Sequence, residues 1–564
     1  LQALLRLPQF GFFGLQSVVA AAAITPVLFL GYLSGSRKAR RWTRWSLVTG
    51  TLVVSVIVVL GSLSLLNART DVNEGVAAAR RSLDAAKAGD AARVVEELER
   101  SELKFGAANT AVSGAFARLF RLIPVAAQNQ RSIEVAISQG SIISGDAAVA
   151  FRDADIRSLR FDAGSLDLQA MSAMAPQLRS TTNSLVTASN AISDASSPWL
   201  LPVVSNRVAD LLNEVEELRP TIELGANAAE IVPEMLGALQ PTSYFVMFGT
   251  PAESRELGGF LGSWALLSFD NGTLTLGESG RINELTALAM ASSLDEQTVS
   301  AWYLEMARPT RFPQNLTSSP DMQQVASIAQ QVLAGVSPEP IDGFIYVDGH
   351  ALTDLLEISG PVSIPSREEA LTSQNGFQFF FEEQYRVTGG EERTELFDAL
   401  AGVAAGVVTG IKGQTLVGPE ELGRVMGPAA RGGRLQVVTF DEQANEFLRS
   451  VKLLRDFGRN ETQDFLGLVQ TNGLSNKLDL YLHRELSYQV MIDENGQVGA
   501  TATVALQSDI PNDAPPFTLG GGDTAGLNKV LLSLYSPLTL ESVTLNGLPA
   551  DVRIASEFDM GRYL

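Results

Sequence analysis

The sequence contains no cysteine and only two histidines, His350 and His483. The absence of cysteine excludes disulfide bonds, thiolate nucleophiles and metal sites with cysteine ligands. Two histidines are too few for a histidine-rich metal site, and they exclude most triads that use a histidine base. His350 is interpreted as a turn residue, and His483 lies in a predicted strand.

Basic residues are scarce in relation to acidic ones. The 564 residues include 42 Lys and Arg against 63 Asp and Glu, which gives a formal net charge of −21. The imbalance is not uniform, because residues 1–67 hold six basic residues and no acidic one. The rest of the chain has 36 basic residues against 63 acidic ones, a net charge of −27. A body that acidic is not expected to bind nucleic acid.

Two apolar segments near the amino end predict a transmembrane hairpin. Residues 10–33 and 45–66 each exceed the roughly 20 residues that a helix needs to cross a bilayer. The loop between them, residues 35–44, is basic, so the positive-inside rule places it in the cytoplasm. We expect a plasma-membrane protein, with the lipid bilayer as a partner and its large carboxyl-terminal part on the extracytoplasmic side. The alternative is a signal peptide followed by a buried core helix, and the start at Leu1 leaves open whether residues precede it.

Residues 68–239 are predicted to form an extracytoplasmic helical region, either a stalk or a bundle. The segment AAARRSLDAAKAGDAARVVEELERSEL has the Ala, Glu, Arg and Leu content of strong helix formers. Pro176 and Pro233 fall inside predicted helices and are expected to bend or split them. The stretch 137–162 is less periodic and receives no assignment.

Residues 240–460 alternate between strand and helix patterns and predict an α/β sandwich. The stretch 244–283 contains an apolar strand, a Glu-Ser-Arg-Glu turn at residues 253–256, a Gly-Gly pair and two further strands. A charged loop at a strand end, with glycines that admit backbone closely, is where an α/β domain usually binds its ligand. The sequence leaves open whether this loop is catalytic or only a turn.

Residues 461–564 predict a carboxyl-terminal β-sandwich, because short alternating strands lie between turn signals. One hairpin is predicted with its turn at residues 493–496, and a second with its turn at Asn546-Gly547. The predicted fold is therefore multi-domain: a transmembrane helical hairpin, a helical stalk or bundle, an α/β sandwich and a β-sandwich.

Several motifs that occur in the same order resemble one family of bacterial proteins. They are the stretch 244–283, Ser319-Pro320-Asp321, IDGFIYVDGHALTDLLEISGPVSIP and NGLSNKLDLYLHRELSYQVMIDENG. Together they are similar to the actinobacterial membrane-anchored family called domain of unknown function four-zero-one-two (DUF 4012). The resemblance covers nearly the whole chain and implies a protein of the cell envelope without assigning it an activity.

A more distant resemblance implies a chemistry. The order of strand, Ser-Arg loop, glycine and two strands is similar to that of the LytR-CpsA-Psr phosphotransferases, which move glycopolymers from a polyprenyl pyrophosphate carrier to peptidoglycan. Ser254-Arg255 resembles their Ser-Arg motif, and Arg281-Ile282-Asn283 resembles their Lys-Ile-Asn motif. The chain departs from the family at residues 260–263, where Phe-Leu-Gly-Ser replaces Arg-Ser-Asp-Thr. The aspartate that holds magnesium in the family therefore has no counterpart there.

Phosphoryl transfer needs positive charge over the phosphate oxygens and usually a metal ion held by carboxylates. The candidates for phosphate or ligand binding are Arg255, Arg281, Arg308, Arg311, Ser254 and Asn283, and the candidate catalytic residues are Arg255 and Arg281. Mg²⁺ is the one cofactor considered, with Glu253, Glu256 and Asp321 as its candidate ligands. The alternative is structural: Arg255 and Glu256 satisfy each other, and Asp321 caps a helix.

The expected function is that of an envelope protein whose LytR-CpsA-Psr-like domain binds polyprenyl-phosphate-linked or other envelope glycopolymer without full catalytic equipment. One alternative is an active, magnesium-dependent phosphotransferase or pyrophosphatase that attaches glycopolymer to the cell wall. A second alternative is a structural or accessory subunit of an envelope membrane complex. The expected partners are accordingly a polyprenyl-phosphate lipid, a cell-wall glycan or an envelope protein complex.

Overall fold

The structure, a computed structural model, describes residues 25–26, 30, 34, 36–87, 90–118, 120, 124–153, 165–197, 199–295, 299–364, 367–386, 402–411, 419–458 and 464–564. The described residues belong to two compact units. The helical unit comprises those within Leu1–Arg157 and Ala170–Ala229, and the sheet unit comprises those within Ser158–Gln169 and Glu230–Leu564.

The helical unit consists of long α-helices. The helices are α1 Arg37–Lys87, α2 Ala91–Val112, the short α3 Ala115–Arg118, α4 Pro124–Asp153, α5 Leu168–Asp194 and α6 Pro202–Met235. The first two residues of α5 and the last six of α6 belong to the sheet unit. Phe105 of α2 is buried against α1 and α4, where Gly75 and Gly140 leave space for its ring. A Cβ at either glycine would lie 3.1 to 3.2 Å from that ring, so the small residues allow the three helices to pack closely.

The transmembrane hairpin in the predicted fold class is wrong. In the described part of the chain, no helix is both long enough and apolar enough to cross a membrane. The predicted second span, 45–66, and most of the predicted loop, 35–44, belong to α1, a single helix of 51 residues. The physical reason is that the predicted span does not form a separate helix. It is part of one unbroken helix that begins with basic residues and ends with the polar residues before Lys87. The predicted first span, 10–33, lies outside the described residues except for Thr25, Pro26 and Leu30.

The prolines do not divide the helices as expected. Pro176 lies inside α5, which continues through it to Asp194. Pro233 lies in the last turn of α6, which joins two predicted helices into one. The stretch 137–162, which received no assignment, is helical as far as Asp153.

The sheet unit contains a five-stranded mixed sheet. Its strands are β1 Thr242–Arg255, β2 Gly258–Asp270, β3 Thr273–Arg281, β4 Gly343–Asp348 and β5 Leu435–Thr439, in the order β3-β2-β1-β4-β5. The pair β1–β4 is parallel, and the other neighbouring pairs are antiparallel. The strands predicted in 244–283 and before residue 348 are thus confirmed.

Helices connect these strands. They are α7 Thr286–Ala291, α8 Ala301–Met306, α9 Met322–Val332, α10 Gly349–Ser359, α11 Gly376–Gln378, α12 Gln384–Arg386, α13 Pro419–Arg431 and α14 Glu442–Ser450. Ile282–Leu285 and Pro313–Asn315 form short 3₁₀-helices, Phe379–Glu383 forms a π-helical turn, and residues 402–411 are helical.

Both faces of the five-stranded sheet are buried. Successive residues of a strand point to opposite faces, and β1 is apolar on both. Phe245 and Met247 pack into a core that includes residues of α9, whereas Val246 and Phe248 pack into a core that includes residues of α10. The result is an α/β arrangement of three layers in which the middle of β1 is buried between two helical layers.

The carboxyl-terminal region adds antiparallel strands to the sheet unit. They are β6 Gly467–Asn472, β7 Leu482–Ile492, β8 Val498–Ser508, β9 Val530–Ser536, β10 Thr544–Leu545, β11 Leu548–Pro549, β12 Ile554–Glu557 and β13 Met560–Tyr563. Between them lie the 3₁₀-helices Leu478–Tyr481 and Gly522–Thr524 and the short helix α15 Pro516–Leu519.

The predicted β-sandwich is corrected by the strand pairing. Four strands form one sheet in the order β12-β13-β9-β6, while β7–β8 and β10–β11 are separate hairpins. Both predicted hairpins are confirmed, with their turns at the expected residues. The residues of β7 and β8 are almost all exposed, so this hairpin does not supply the second packed layer that a sandwich requires.

Candidate functional site

The Glu-Ser-Arg-Glu sequence at residues 253–256 lies mostly in extended strand. β1 continues to Arg255 and β2 begins at Gly258, so that only Glu256 and Leu257 form the turn. The predicted open loop is therefore a tight connection between two paired strands. Its charged side chains are held at the edge of the buried sheet.

The glycines beside this turn accommodate the protein's own atoms. A Cβ at Gly249 would lie 2.5 Å from Cε2 of Tyr346, and a Cβ at Gly258 would overlap the hydroxyl of the same tyrosine. A Cβ at Gly259 would overlap the carbonyl of Thr250 on the neighbouring strand. The close approach that the glycines permit is thus internal packing, and it explains them without a ligand.

Glu253 is bound by two cations. Its carboxylate accepts a hydrogen bond from Arg255 Nη2 at 2.9 Å and an ion-paired hydrogen bond from Lys477. The side chains of the three residues are only 7, 10 and 11% exposed, respectively. Both cations also face the ring of Phe260, at 5.3 Å for Arg255 and 4.9 Å for Lys477.

All three nitrogens of the Arg255 guanidinium donate hydrogen bonds inside the protein. Besides Nη2, Nε donates to Oδ1 of Asn315 at 3.0 Å, and Nη1 donates to the carbonyl of Ser254 at 2.8 Å. Asn315 is itself fixed, because its amide donates to the carbonyl of Ala307 at 3.1 Å. Each guanidinium nitrogen of Arg255 therefore has a hydrogen-bond partner within the protein.

Ser254 is also engaged in internal hydrogen bonds. Its N–H donates to Oδ2 of Asp479 at 2.9 Å, and its hydroxyl accepts from Nε2 of Gln470 at 3.0 Å. Asn472 donates to the same oxygen of Asp479 at 2.9 Å. These partners belong to β6 and the 3₁₀-helix that follows, so the end of β1 is tied to the carboxyl-terminal region.

Glu256 is paired with the guanidinium of Arg562 on β13. Arg562 also donates from Nη1 to Glu557 at 2.8 Å, and Tyr535 donates to Glu557 at 3.0 Å. The guanidinium carbon of Arg562 lies 4.1 Å from the centre of the Trp302 ring. Arg562 is only 1% exposed, so one buried arginine serves two buried carboxylates.

Burial raises the pKa of Glu256 to about 7. Desolvation of the carboxylate is the largest cause, and the nearby charge of Glu557 adds to it, while Arg562 opposes the shift. Because two carboxylates share one guanidinium, the cluster favours retention of one proton. Neighbouring Tyr535 also has its pKa raised by burial and by both carboxylates.

The candidate metal ligands do not form a cluster with one another. Across the residues that the structure describes, no group of three or more His, Asp or Glu side chains is arranged to hold a metal ion. Glu253 and Glu256 each face a buried cation. Asp321, the third candidate, is the N-cap of α9 and accepts a hydrogen bond from the N–H of Gln324 at 2.8 Å.

The remaining candidates lie at or near the protein surface. The 3₁₀-helix Ile282–Leu285, which follows Arg281 and contains Asn283, packs beside Pro313–Asn315. Residues 308–311, here termed the arginine loop, lie just before the helix Pro313–Asn315. Arg308 and Arg311 are both exposed, Asn283 is exposed and Arg281 is half-buried.

Arg308 has an unusual backbone conformation, with φ of 47°. This left-handed region is unfavourable for a residue with a Cβ. The conformation is held by two hydrogen bonds, from the N–H groups of Arg311 and Phe312 to the carbonyl of Arg308, both at 2.9 Å. The side chain of Arg308 donates from Nε to the carbonyl of Glu305 at 3.1 Å.

A cavity of about 330 Å³ lies at the opposite end of β1 from Arg255. Its walls include the apolar residues Phe245, Phe344 and Leu333 together with the polar residues Gln330, Ser337 and Glu339. Phe245 precedes Arg255 by ten positions on an extended strand, a separation of roughly 30 Å. This cavity therefore does not open beside the predicted arginine clamp.

Sequence reasoning missed the partners of the charged turn, namely Lys477, Asp479, Glu557 and Arg562. They follow the turn by more than 200 positions, and no local pattern marks them. It also missed the environment of His350, which lies in the first turn of α10. Burial and the charge of Arg434 lower the pKa of His350 to about 4, so its imidazole is neutral at neutral pH.

A comparison with protein-family models matches residues 240–385 to a family described as "Protein of unknown function (DUF4012)". The predicted relation to this family is supported for that segment. Comparisons with curated proteins and with solved structures gave no match.

Proposed function

We propose that this chain is a non-catalytic binding protein for an anionic envelope polymer or its lipid phosphate, and that the arginine loop provides the contact. The single observation that carries the proposal is the commitment of the Glu253–Glu256 segment to internal ion pairs. A catalytic group must reach the reacting atoms. Glu253, Arg255 and Glu256 instead face buried partners.

The geometry argues against phosphoryl transfer at the turn. A phosphate would have to displace Glu253 from Arg255, or Glu256 from Arg562, and each exchange would deprive a buried carboxylate of a cation that it contacts in the fold. Breaking a buried pair in this way costs about 3–5 kcal/mol. Binding of a phosphate at this position would therefore oppose the stability of the fold.

The arginine loop has the properties that the turn lacks. Arg308 and Arg311 are exposed and lie three positions apart in a chain that is otherwise strongly acidic. Planar guanidinium groups match phosphate oxygens through paired hydrogen bonds. The nearby carboxylate of Glu305 is partly neutralised, because it pairs with Arg553 at 2.7 Å.

The class of ligand comes from the sequence resemblance, which implies a polyprenyl-phosphate-linked glycopolymer. A strained backbone at Arg308 supports a binding role for the loop, since such conformations concentrate at functional sites. The fixed conformation presents both arginines without a further loss of backbone entropy on binding.

The test is a titration of the full chain with a polyprenyl pyrophosphate, in which microscale thermophoresis measures the dissociation constant. The double substitution Arg308→Ala/Arg311→Ala should weaken binding by at least about tenfold, because each lost charge-assisted hydrogen bond contributes about 1.5 kcal/mol or more. Arg386→Ala/Arg424→Ala is the matched control, since both arginines are 54% exposed in the same unit. Equal affinity of the two variants would refute the proposal.

A further inference from the structure

The hairpin β7–β8 is a long two-stranded sheet whose side chains are almost all exposed. Its strands pair over eleven positions, from Leu482 opposite Ser508 to Ile492 opposite Val498. An isolated hairpin is only marginally stable in water, and a stable one needs further strands or packing on one face. The length of this hairpin therefore calls for a partner layer.

The two faces of the hairpin differ in chemistry. One face, here termed the apolar hairpin face, carries the even-numbered residues of both strands. Beyond Leu482, Arg484 and Ser508 at the base, these are Leu486, Tyr488, Val490, Ile492, Val498, Ala500, Ala502, Val504 and Leu506. The opposite face is more polar, although it includes Met491 and Ala505; its other residues are His483, Glu485, Ser487, Gln489, Gly499, Thr501, Thr503 and Gln507. Such alternation is typical of a strand with one buried face.

The apolar hairpin face is open to solvent. Ile492 is 71% exposed, and Val490, Val498 and Leu506 are between 41 and 45% exposed. Tyr488 is half-buried, and its hydroxyl donates to Asp464 at 2.9 Å. Contiguous exposed apolar residues rimmed by polar ones mark a protein interaction surface.

The charges at the two ends of this face indicate what covers it. Arg484 lies on the same face near the base of the hairpin, and Glu494 lies in the turn at its tip. Arg484 and Ile492, the last residue of β7, are eight positions apart, which corresponds to about 26 Å along the strand. Between Arg484 and Glu494 the hairpin's own residues on this face are uncharged, and Asp464, which lies outside the hairpin, contacts the hydroxyl of Tyr488.

A second copy of the chain complements this arrangement. If two apolar hairpin faces pack with the strands antiparallel, a twofold axis passes near Val490, and the base of each hairpin meets the tip of the other. Arg484 of each copy then lies close to Glu494 of its partner, while the uncharged residues between them form the buried centre. Isologous packing of this kind is the usual form of a homodimer.

We infer that the apolar hairpin face is the interface of a homodimer in which two β7–β8 hairpins pack face to face and antiparallel. The pairing supplies each hairpin with a second layer, which the described part of the monomer does not provide. Sheets pack about 10 Å apart, a distance that side chains such as Leu486 and Ile492 span by interdigitation.

The first test measures the mass of the full chain by sedimentation equilibrium over a range of concentrations. Wild-type protein should be dimeric, and Val490→Glu should weaken the dimer by at least about a hundredfold, since it would bury two like charges near the axis. Gln489→Glu places the same charge on the adjacent residue of the opposite face and should leave the dimer unchanged. A monomeric wild-type protein, or equal effects of both substitutions, would overturn the inference.

The second test determines the orientation of the hairpins. Arg484→Glu and Glu494→Arg should each weaken the dimer by about tenfold through repulsion between like charges, and the double variant should restore wild-type affinity. These positions are exposed, so both variants are expected to fold, which circular dichroism would confirm. Additive loss in the double variant would exclude the antiparallel arrangement.

Discussion

The carboxylate of Glu256 is hydrogen-bonded to the guanidinium of Arg562, which follows it by 306 positions in the chain. This contact joins the β1–β2 turn of the five-stranded sheet to β13 of the carboxyl-terminal sheet. With the pair formed by Glu253 and Lys477, it makes the turn a structural link between the two sheets. The residues that suggest a catalytic loop in the sequence thus stabilise the sheet unit.

Substitution of Arg562 by methionine should destabilise the sheet unit strongly. The change would leave Glu256 and Glu557 buried without their cation, and we expect a loss of about 3–5 kcal/mol in the free energy of unfolding. Arg553→Met is the control, because Arg553 also faces Trp302 but forms an exposed ion pair worth at most about 1 kcal/mol. Urea denaturation measures both, and equal losses would contradict the structural role of Arg562.

The raised pKa of Glu256 predicts a specific pH dependence. The pKa of Glu256 is about 7 in the folded chain, whereas its ordinary value is 4.5. Between these two pH values the folded state therefore holds a proton that the unfolded state has lost. The free energy of unfolding should therefore fall as pH rises from about 4.5 to about 7, by on the order of 1 kcal/mol per pH unit. In Glu256→Gln this contribution should be absent. Parallel stability curves for the two proteins across this window would contradict the assignment.

The packing of Tyr346 against the turn predicts a selective rescue. Gly258→Ala should destabilise the fold by about 1–3 kcal/mol, because the new methyl group meets the tyrosine hydroxyl. Tyr346→Phe removes that hydroxyl and should restore most of the loss. Gly249→Ala should not be rescued, since its methyl group would still lie 2.5 Å from a ring carbon. Thermal unfolding of the single and double variants distinguishes these outcomes.

Asp321 should behave as a helix cap. Asp321→Ala removes the hydrogen bond to the N–H of Gln324 and should cost about 1 kcal/mol of stability, whereas Asp321→Asn should retain most of the capping. Neither change should alter the affinity for Mg²⁺ measured by calorimetry in the presence of polyprenyl pyrophosphate. A selective loss of Mg²⁺ affinity in the asparagine variant would restore this residue as a metal ligand.

The fold was predictable where the pattern is local. The apolar runs around Phe245 and Phe344 and the hairpin turn at 493–496 follow from short-range periodicity and turn chemistry. The turn expected at residues 348–350 is instead the N-cap and first turn of α10. The transmembrane hairpin was wrong because apolar content alone does not show that α1 continues into a polar packed helix. The sandwich was wrong because strand propensity does not determine which strands share a sheet.

The site was predictable only in its residue types. The sequence predicts Arg255 as a phosphate ligand and Glu253 as a metal ligand, but their roles depend on Lys477 and Asn315, which the sequence does not connect to them. The capping role of Asp321 was recognisable as an alternative, because Ser-Pro-Asp before an apolar run is a local helix signal. Ion pairs across more than 200 positions leave no comparable mark.

The most direct test compares stability and ligand affinity in two variants, Arg255→Met and Arg308→Ala/Arg311→Ala. Each is measured by urea denaturation and by titration with polyprenyl pyrophosphate under conditions in which it is folded. Arg255→Met should lower the unfolding free energy and leave the affinity within about twofold of wild type. The double variant should weaken binding by at least about tenfold and leave the unfolding free energy close to that of wild type. A folded Arg255→Met protein with at least about tenfold weaker binding would show instead that Arg255 contacts the ligand.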